Sequence, residues 1–283
     1  MTAVEPSRIR RLAAEAARLR GDPVLPPEAT IVIPVNAQAD LENVLDLIDE
    51  LSRYDGRRRF ELVLVINNYP EGQPPPELDA YARAGIRTVG VPDAWKEEEV
   101  VSFTARIPGA REAASPFLIH FDADVRIANP SPLLDWYVDQ LERGAHAAYT
   151  PVGYYELRPL WSVRARIAAH HLARWVKRAV FRIPTIRGSN YAVERDLFLS
   201  LYDRGLLTDD LNVGPAVKAN GGGIAYGGDR ALQVLTSGRK FRGGWLKLAR
   251  YLWYRTRYNI RVLPVRAPEA GKARNPFHEK QLR

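Results

Sequence analysis

Short runs of apolar residues alternate with segments of helical periodicity along the first half of the chain. The runs are rich in Val, Ile, Leu and Phe, which is typical of strands buried on both faces of a parallel sheet. We predict such strands at 30–35, 60–66, 86–91 and 117–121. The segment 41–51 between the first two strands carries apolar residues at helical spacing. Alternating strands and helices predict βαβ units and a mostly parallel, Rossmann-like sheet flanked by helices.

Further elements follow from the same patterns. Asp40 is predicted to cap the helix at 41–51, and Pro108 is expected to end or kink a helix at 96–114. The second half is less regular. We predict helices there at 132–141 and 161–181, a strand at 147–152, a strand at 231–235, and short helices after 195 and after 210. The chain divides into an N-terminal helix and linker (1–27), a half of nucleotide-binding type (28–125), a less regular second half (126–240), which the resemblance described below makes the acceptor half, and a C-terminal extension (241–283).

Two carboxylates stand directly after the fourth strand. The apolar run Phe117–Phe121 is followed by Asp122-Ala123-Asp124. Ligands of open α/β sheets bind at the carboxyl ends of strands. Paired hard oxygen ligands there suit Mg²⁺ or Mn²⁺ held against the phosphates of a substrate. A strand-end turn explains the two aspartates equally simply, because Asp is common in turns.

A second acidic pair, Asp209-Asp210, precedes a predicted helix. A carboxylate in this place could take a proton from an acceptor hydroxyl, as a general base does. The alternative is helix capping, since negative charge is favoured at the amino end of a helix. The two roles are compatible, because the start of a rigid helix is a good place for a base.

The order of several short motifs resembles glycosyltransferase family 2, whose fold is GT-A. The motifs are Ile31-Val32-Ile33-Pro34-Val35, Val63 to Asn68, Ala110 to Ala114, Phe121 to Asp124, Arg187-Gly188-Ser189-Asn190-Tyr191-Ala192 and Thr208-Asp209-Asp210. The resemblance spans roughly residues 28–240. Each motif is weak by itself, and it is their order along the chain that makes the resemblance specific. It implies an enzyme of hexosyltransferase type, metal-dependent and inverting, that moves a sugar from a UDP-, GDP- or dTDP-sugar to an acceptor hydroxyl.

The resemblance also implies roles for individual residues. Pro34, Asn36 and Asn68 would line the nucleotide pocket, and Asp122 would lie near the ribose and diphosphate. Asp124, with Asp122, would bind Mn²⁺ or Mg²⁺. Asp210 would be the catalytic base and Asp209 would support it. The acceptor side would be formed by the segment Arg187, Gly188, Ser189 and Asn190.

The chain departs from the family pattern at two positions. Asn68 stands where an aspartate usually meets the base, and Ile107 where Asn usually follows Ala-Arg. The Gln-x-x-Arg-Trp motif of processive synthases is absent. The only histidine after Asp210 is His278, near the end of the chain, and no third metal ligand is assigned. His120 is expected to be a core residue. Arg239 and Lys240 follow Ser237-Gly238, where they could hold a diphosphate or form a solvated basic turn.

Charge is concentrated at the end of the chain. The net charge is +8, and residues 239–283 carry 13 Lys or Arg against two Glu, which leaves −3 for the rest. Residues 245–258 predict a basic amphipathic helix with aromatic residues. Such a helix docks on an anionic membrane or packs on the catalytic domain with its cations solvated. Docking would suit a lipid-linked acceptor.

Composition excludes other classes of protein. There is no cysteine, which rules out disulfides and Cys-ligated zinc. Neither a signal peptide nor a membrane-spanning run is recognisable, so we expect a cytoplasmic protein, peripheral to the membrane at most. The alternatives are a nucleotidyltransferase of similar fold, or a non-catalytic protein that binds through the basic tail. Nucleic-acid binding would leave both Asp pairs unexplained.

Overall fold

Helices and strands alternate along the chain much as the apolar pattern predicts. The computed structural model describes residues 6–21, 24–92, 101–157 and 160–238, and positions 241, 245–246, 249–250 and 252–253. Its helices are α1 (Pro6–Arg20), α2 (Asn43–Leu51), α3 (Pro76–Arg83), α4 (Val101–Glu112), α5 (Pro130–Glu142), α6 (Trp161–Ala179), α7 (Arg195–Asp203) and α8 (Asp210–Ala219). Its strands are β1 (Ala29–Asn36), β2 (Phe60–Asn67), β3 (Arg87–Val91), β4 (Phe117–Phe121), β5 (Arg126–Ile127), β6 (Ala147–Tyr149), β7 (Val152–Tyr155), β8 (Asn190–Glu194), β9 (Ile224–Tyr226) and β10 (Val234–Ser237).

A seven-stranded sheet organises these elements. Its strand order is β3-β2-β1-β4-β8-β6-β9, and β8 alone among these strands runs antiparallel to its two neighbours. The pairs β3-β2, β2-β1, β1-β4 and β6-β9 are parallel. The prediction of a mostly parallel sheet is therefore confirmed. A smaller sheet, in the order β5-β10-β7, accompanies it.

Two apolar cores lie on opposite faces of the large sheet. Successive side chains of a strand point to opposite faces. On β1, Ile31 and Ile33 accordingly belong to one core and Val32 to the other. The first core also holds residues of α1, α2, α3 and α5, and the second holds residues of α4, α7 and α8. Each fully buried aliphatic or Phe side chain contributes about 1.5–3 kcal/mol to the free energy of folding. The two cores therefore hold the strands, and with them the strand ends, firmly in place.

Helix α4 lies unusually close to the sheet. A Cβ on Gly109 would come within 2.5 Å of Cγ1 of Val32 and 2.7 Å of Cγ2 of Val65. Only glycine therefore allows this approach. Pro108 lies inside the helix, which begins at Val101. Residues 93–100, where the predicted helix would start, are outside the described residues. The close approach matters because the same helix carries Arg106 beneath the strand ends.

Some predicted elements were wrong or missing. Asp40 does not cap α2: the N-cap residue is Glu42, and Asp40 instead accepts a hydrogen bond from Nδ2 of Asn43 at 3.1 Å. The reason is that residues 37–42 form turns, so the helix starts later than its apolar spacing suggests. The strand predicted at 231–235 is a 3₁₀ turn (Arg230–Leu232) followed by β10. Strand β9 was not predicted.

The predicted C-terminal amphipathic helix falls mostly outside the described residues. The positions that are described there, 245–246, 249–250 and 252–253, are helical. Trp245 is 50 % exposed and Trp253 is 70 % exposed. Across the described part of the chain, no helix combines the length and the apolar character that crossing a membrane requires.

Candidate active site

The strand ends that were expected to carry chemistry meet at one edge of the large sheet. Asn36 closes β1, Asn68 follows β2, and Asp122 follows β4. Strand order turns back at β1, because β2 and β3 lie on one side of it and β4 on the other. Such a reversal opens a crevice at the carboxyl ends of the strands, where open α/β sheets bind their ligands.

Asn36 and Asn68 contact each other at the ends of β1 and β2, where this rule places the ligand. Nδ2 of Asn68 donates to Oδ1 of Asn36 at 3.1 Å, and the same oxygen accepts the backbone N–H of Gln38 at 2.9 Å. Asn68 adopts a left-handed backbone with a φ of 63°. Asn tolerates that conformation better than most residues. The two side chains are thus oriented by each other and by the turn that follows β1. Pro34 is buried in β1, two residues before Asn36.

Arg106 joins the two acidic pairs. Its side chain is fully buried, and its guanidinium forms ion pairs with Oδ1 of Asp122 at 2.5 Å and with Oδ1 of Asp210 at 2.9 Å. Nη2 also donates to the carbonyl of Gly188 at 2.8 Å. Burial alone would lower the pKa of Arg106, but the charges of Asp210 and Asp122 outweigh it and raise the pKa. One buried cation therefore holds together the end of β4, the start of α8 and the segment before β8.

Asp210 is the first residue of α8, and Asp209 caps that helix. Oδ1 of Asp209 accepts the backbone N–H of Leu211 at 2.6 Å, so the capping alternative holds for Asp209. Oδ1 of Asp210 accepts the hydroxyl of Tyr191 at 3.1 Å. Burial raises the pKa of Asp210, although Arg106 opposes the rise. A carboxylate with a raised pKa is a stronger proton acceptor, which is what a general base requires.

Asp122 and Asp124 differ in their surroundings. Burial raises the pKa of Asp122 to about 6, despite the opposing charge of Arg106. The Asp122 side chain nevertheless keeps 35 % of its surface exposed, so water in the crevice offsets part of this effect. The carbonyl of Asp124 accepts the hydroxyl of Tyr155 at 2.7 Å, which fixes the backbone after β4. The charge of Asp40 also reaches Asp122.

The segment before β8 lies directly against Arg106 and Asp210. A Cβ on Gly188 would overlap Oδ2 of Asp210 and come within 2.9 Å of Nη2 of Arg106. Arg187 donates to the hydroxyl of Tyr154 at 2.9 Å, and its Nη2 lies 2.6 Å from Nε2 of His170. The structure thus places Gly188 at the centre of the site and turns Arg187 towards α6.

Ser189 and Asn190 are buried beside these residues. Asn190 is only 1 % exposed and donates to Oγ1 of Thr150 at 2.6 Å, while Ser189 is 6 % exposed. Their contact with an acceptor stays a prediction. Arg239 and Lys240, the predicted diphosphate ligands, lie outside the described residues.

Asp122 and Asp124 could hold a divalent cation only if a substrate supplied further oxygen ligands. Among the described residues, no group of three or more His, Asp or Glu side chains could enclose a metal ion. Two carboxylates next to a crevice are nonetheless the donor set that Mg²⁺ and similar ions use when substrate phosphates supply the remaining oxygens. Asp122 and Asp124 therefore fit a metal that arrives with, or is completed by, a diphosphate.

His120 lies in the core beneath the site, as predicted. It is fully buried between the rings of Tyr191 and Phe198, with centroid distances of 4.7 and 5.1 Å. Neither ring nitrogen has a hydrogen-bond partner in the described part of the chain. Burial, reinforced by the charge of Arg106, lowers the pKa of His120 well below its ordinary value. It packs in the core as a neutral side chain.

Solved structures of similar architecture include glycosyltransferases. One is the mannosyltransferase PcManGT from Pyrobaculum calidifontis in complex with GDP-Man and Mn²⁺, with a TM-score of 0.51 and 15 % identity over 92 % of this chain and 70 % of that one. Another is GalNAc-T7 with UDP, GalNAc and Mn²⁺, with a TM-score of 0.52 and 15 % identity over 83 % of this chain and 51 % of that one. The chain has the GT-A fold.

A third similar structure is a fragment of S. aureus TarS in complex with UDP-GlcNAc. The TM-score is 0.51 and the identity 13 %, over 90 % of this chain and 69 % of that one. No protein-family model and no curated protein sequence matches the chain. At these identities the likeness establishes the GT-A architecture, and the expected fold is confirmed.

Sequence reasoning missed Arg106. Arg106 directly precedes Ile107, the position noted in the sequence analysis, but no role was predicted for it. Nothing local in the sequence reveals that Arg106 is fully buried. Tyr191 belongs to the motif Arg187 to Ala192, but no role was predicted for its side chain. In the structure its hydroxyl donates a hydrogen bond to Asp210.

Proposed function

We propose that this GT-A protein is a nucleotide-sugar-dependent glycosyltransferase that transfers a hexosyl group with inversion to an acceptor hydroxyl. The observation that carries the proposal is the contact of one buried arginine, Arg106, with both Asp122 and Asp210. It brings the carboxylate suited to the donor diphosphate and the carboxylate suited to the acceptor within ion-pair distance of a single guanidinium. That separation of tasks is what a single-displacement transfer requires.

In the proposed reaction, Asp210 accepts the proton of the acceptor hydroxyl while that oxygen attacks the anomeric carbon. The new bond joins the acceptor oxygen to the sugar, and the bond from the sugar to the diphosphate breaks, so the nucleoside diphosphate leaves. Burial raises the pKa of Asp210 and thereby strengthens it as a base. Tyr191 and Arg106 orient the carboxylate. No nucleophile of the enzyme is needed.

The donor would lie along the crevice from Asn36 and Asn68 to Asp122. We propose that the Asn pair meets the nucleoside and that Asp122 and Asp124 hold Mn²⁺ or Mg²⁺. A divalent cation would neutralise charge on the departing diphosphate. The structures of similar fold that contain Mn²⁺ with a nucleotide or nucleotide sugar support this choice of cofactor. Membership of glycosyltransferase family 2 is part of the proposal.

Thermal melting of the full chain tests donor binding. UDP-, GDP- and dTDP-sugars are each added with Mn²⁺, Mg²⁺ or a chelator, since a ligand of the folded state raises the melting temperature by mass action. We expect one nucleotide family to stabilise the protein only when metal is present, and Asp124→Asn to abolish the shift. Asp79→Asn is the matched control, because Asp79 is an exposed carboxylate on α3. Absence of any metal-dependent shift would overturn the proposed donor site.

Hydrolysis or transfer of the bound sugar then tests the base. Asp210→Asn should leave the melting shift by donor and metal in place while it lowers turnover by about 10²- to 10⁴-fold, the usual range for a lost general base. Release of nucleoside diphosphate identifies a glycosyltransferase. Formation of a nucleoside triphosphate and a sugar 1-phosphate when pyrophosphate is added to the same nucleotide sugar would instead identify a nucleotidyltransferase and refute the assignment.

A further inference from the structure

A basic cavity lies at the far end of α8 from Asp210. Its volume is about 390 Å³, within the range of small-ligand sites. Three cations line it: Arg178 from the last turn of α6, Arg182 from the segment that follows α6, and Lys218 from the last turn of α8. None of the described residues that line it is acidic. Because α8 begins at Asp210 and reaches the cavity only with Lys218, the cavity is separate from the candidate active site.

The cations of the cavity are held in place. The guanidinium of Arg178 stacks on the ring of Tyr226, 3.8 Å from its centroid. Nζ of Lys218 donates to the carbonyl of Arg182 at 2.8 Å. Arg182 itself has a left-handed φ of 52°, which is uncommon for a residue with a side chain. Fixed cations lose less conformational freedom when they bind an anion than free surface cations do.

Basic residues continue from the cavity along the inner face of α6, with Arg166 and Arg174 as the cations. Arg166, His170 and Arg174 precede Arg178 at intervals of four residues, so they lie on one face of the helix. The Nε atoms of Arg166 and Arg174 are buried and have no hydrogen-bond partner among the described residues. Burial, and then the charge of Arg187, lowers the pKa of Arg174 to about 9. Helix α6 contains no Asp or Glu, so nothing within it offsets this charge.

The outer face of the same helix exposes large apolar side chains. The exposed fractions are 79 % for Trp161, 60 % for Leu172, 53 % for Trp175, 61 % for Val180 and 64 % for Phe181. Trp161, Leu172 and Trp175 recur at helical spacing, so they lie on one side of α6, and Val180 and Phe181 follow directly after the helix. Large apolar side chains grouped on the surface of a folded chain mark an interaction site.

We propose that the C-terminal end of α6 is a docking surface for an anionic phospholipid bilayer, and that the cavity of Arg178, Arg182 and Lys218 receives the phosphate of a lipid headgroup. Charge complementarity selects this occupant: exposed Trp and Phe beside cations, without acids on the helix, match the boundary between headgroups and acyl chains. Trp175 lies one turn before Arg178, and Phe181 adjoins Arg182, so insertion and phosphate contact are simultaneous. The inference is independent of the proposed sugar transfer.

Vesicle flotation with the full chain tests the surface. The vesicles consist of phosphatidylcholine alone or of phosphatidylcholine mixed with phosphatidylglycerol. The cation variant, Arg178→Gln with Lys218→Gln, should bind the anionic vesicles about thirtyfold more weakly, since each basic residue near such a surface contributes about 1 kcal/mol. The apolar variant, Trp175→Ser with Phe181→Ser, should lose at least about tenfold on both kinds of vesicle.

Matched controls keep the comparison specific. Val24→Ser with Leu25→Ser removes two other exposed apolar side chains, 86 % and 46 % exposed. Arg53→Gln with Arg143→Gln removes two exposed cations elsewhere, 63 % and 72 % exposed. Both controls should bind as the unaltered chain does. The basic extension is identical in all variants, so its own attraction to vesicles cancels from every comparison. Circular dichroism verifies that each variant is folded.

Three results would overturn the inference. The first is a cation variant that binds anionic vesicles as tightly as the unaltered chain. The second is equal loss in the controls, which would mean that vesicles respond to total charge or apolar area alone. The third is melting stabilised by glycerol 1-phosphate through Arg178 and Lys218 while vesicle binding is unchanged, which would assign the cavity to a free phosphate ester. Melting shifts with nucleotide sugars, measured in parallel, report on the active site separately.

Discussion

Replacing Arg106 by Met removes the cation that joins the two acidic pairs but keeps an unbranched side chain of similar length. Arg106 is fully buried on α4, and its guanidinium contacts Asp122, Asp210 and the carbonyl of Gly188. Methionine fills the space without donating a hydrogen bond. The substitution therefore leaves two carboxylates and a carbonyl without their shared donor, while the apolar packing of the helix is largely retained.

The structure sets the size of the effect. The Asp210 side chain is only 12 % exposed, and removal of one partner from a buried ion pair costs about 3–5 kcal/mol. Asp122 is 35 % exposed, so water can replace much of what Arg106 supplies, and its share is at most about 1 kcal/mol. We expect Arg106→Met to lower the free energy of unfolding by about 4 kcal/mol near neutral pH, mostly through Asp210.

Urea unfolding measured across a range of pH is the assay. Without the charge of Arg106, which opposes the effect of burial, the pKa of Asp210 rises further above its ordinary value. A carboxyl whose pKa is raised in the folded state destabilises the protein above that pKa and ceases to do so when it is protonated. The stability difference between Arg106→Met and the unaltered chain should therefore shrink as the pH falls from about 8 to about 5.

A control on the same helix separates the buried network from loss of charge. Arg111→Met breaks the ion pair with Asp203, in which both side chains are 58 % exposed. Exposed pairs contribute about 1 kcal/mol or less, so this variant should be nearly as stable as the unaltered chain. The reasoning is refuted if Arg106→Met costs no more than Arg111→Met, or if its cost is the same at both ends of the pH range. Adding Asp210→Asn to Arg106→Met should recover part of the loss.

Other substitutions give further expectations. Gly188→Ala should lower turnover by at least about tenfold and the free energy of unfolding by about 1–3 kcal/mol, because the added Cβ displaces the ends of Asp210 and Arg106. Gly228→Ala is the kinetic control, since a Cβ there lies 3.6 Å from the nearest side-chain atom. His120→Phe should be neutral or stabilise by about 1 kcal/mol in urea unfolding, since both ring nitrogens are buried without partners among the described residues; a clear loss would indicate that the imidazole has a role. Asp209→Ala should cost about 1 kcal/mol of helix capping and Asp209→Asn much less, and equal losses in thermal unfolding would contradict the capping role.

The strands of the large sheet were readable from the sequence wherever an apolar run was continuous. Strands β1, β2, β3 and β4 lie within one residue of their predicted limits at each end. Burial on both faces leaves no room for polar residues, so the composition of a run reveals the strand. Short strands such as β9 carry no such signal. Its three residues are only half-buried, and its pairing with β6 depends on contacts distant in the chain.

The positions of Asp122 and Asp210 were predicted, but their relation was not. A carboxylate at a strand end and another at a helix start are local features, visible as motifs. That both meet Arg106 depends on how closely α4 lies on the sheet, which Gly109 permits through contacts with Val32 and Val65. The sequence does not reveal these contacts, because nothing in the segment around Arg106 distinguishes a buried arginine from a solvated one.

For α6, too, the sequence determined one feature and the tertiary structure decided another. The sequence determined that this segment is a helix rich in Arg and Ala, with two Trp and without acids. Only the tertiary structure decided which side chains face the protein. Arg166 is buried, whereas Trp161 and Trp175 are exposed, the reverse of what hydrophobicity alone would suggest. Periodicity is a local property that one chain segment carries by itself. Burial is a property of the whole packed molecule, because it depends on what every other element leaves uncovered.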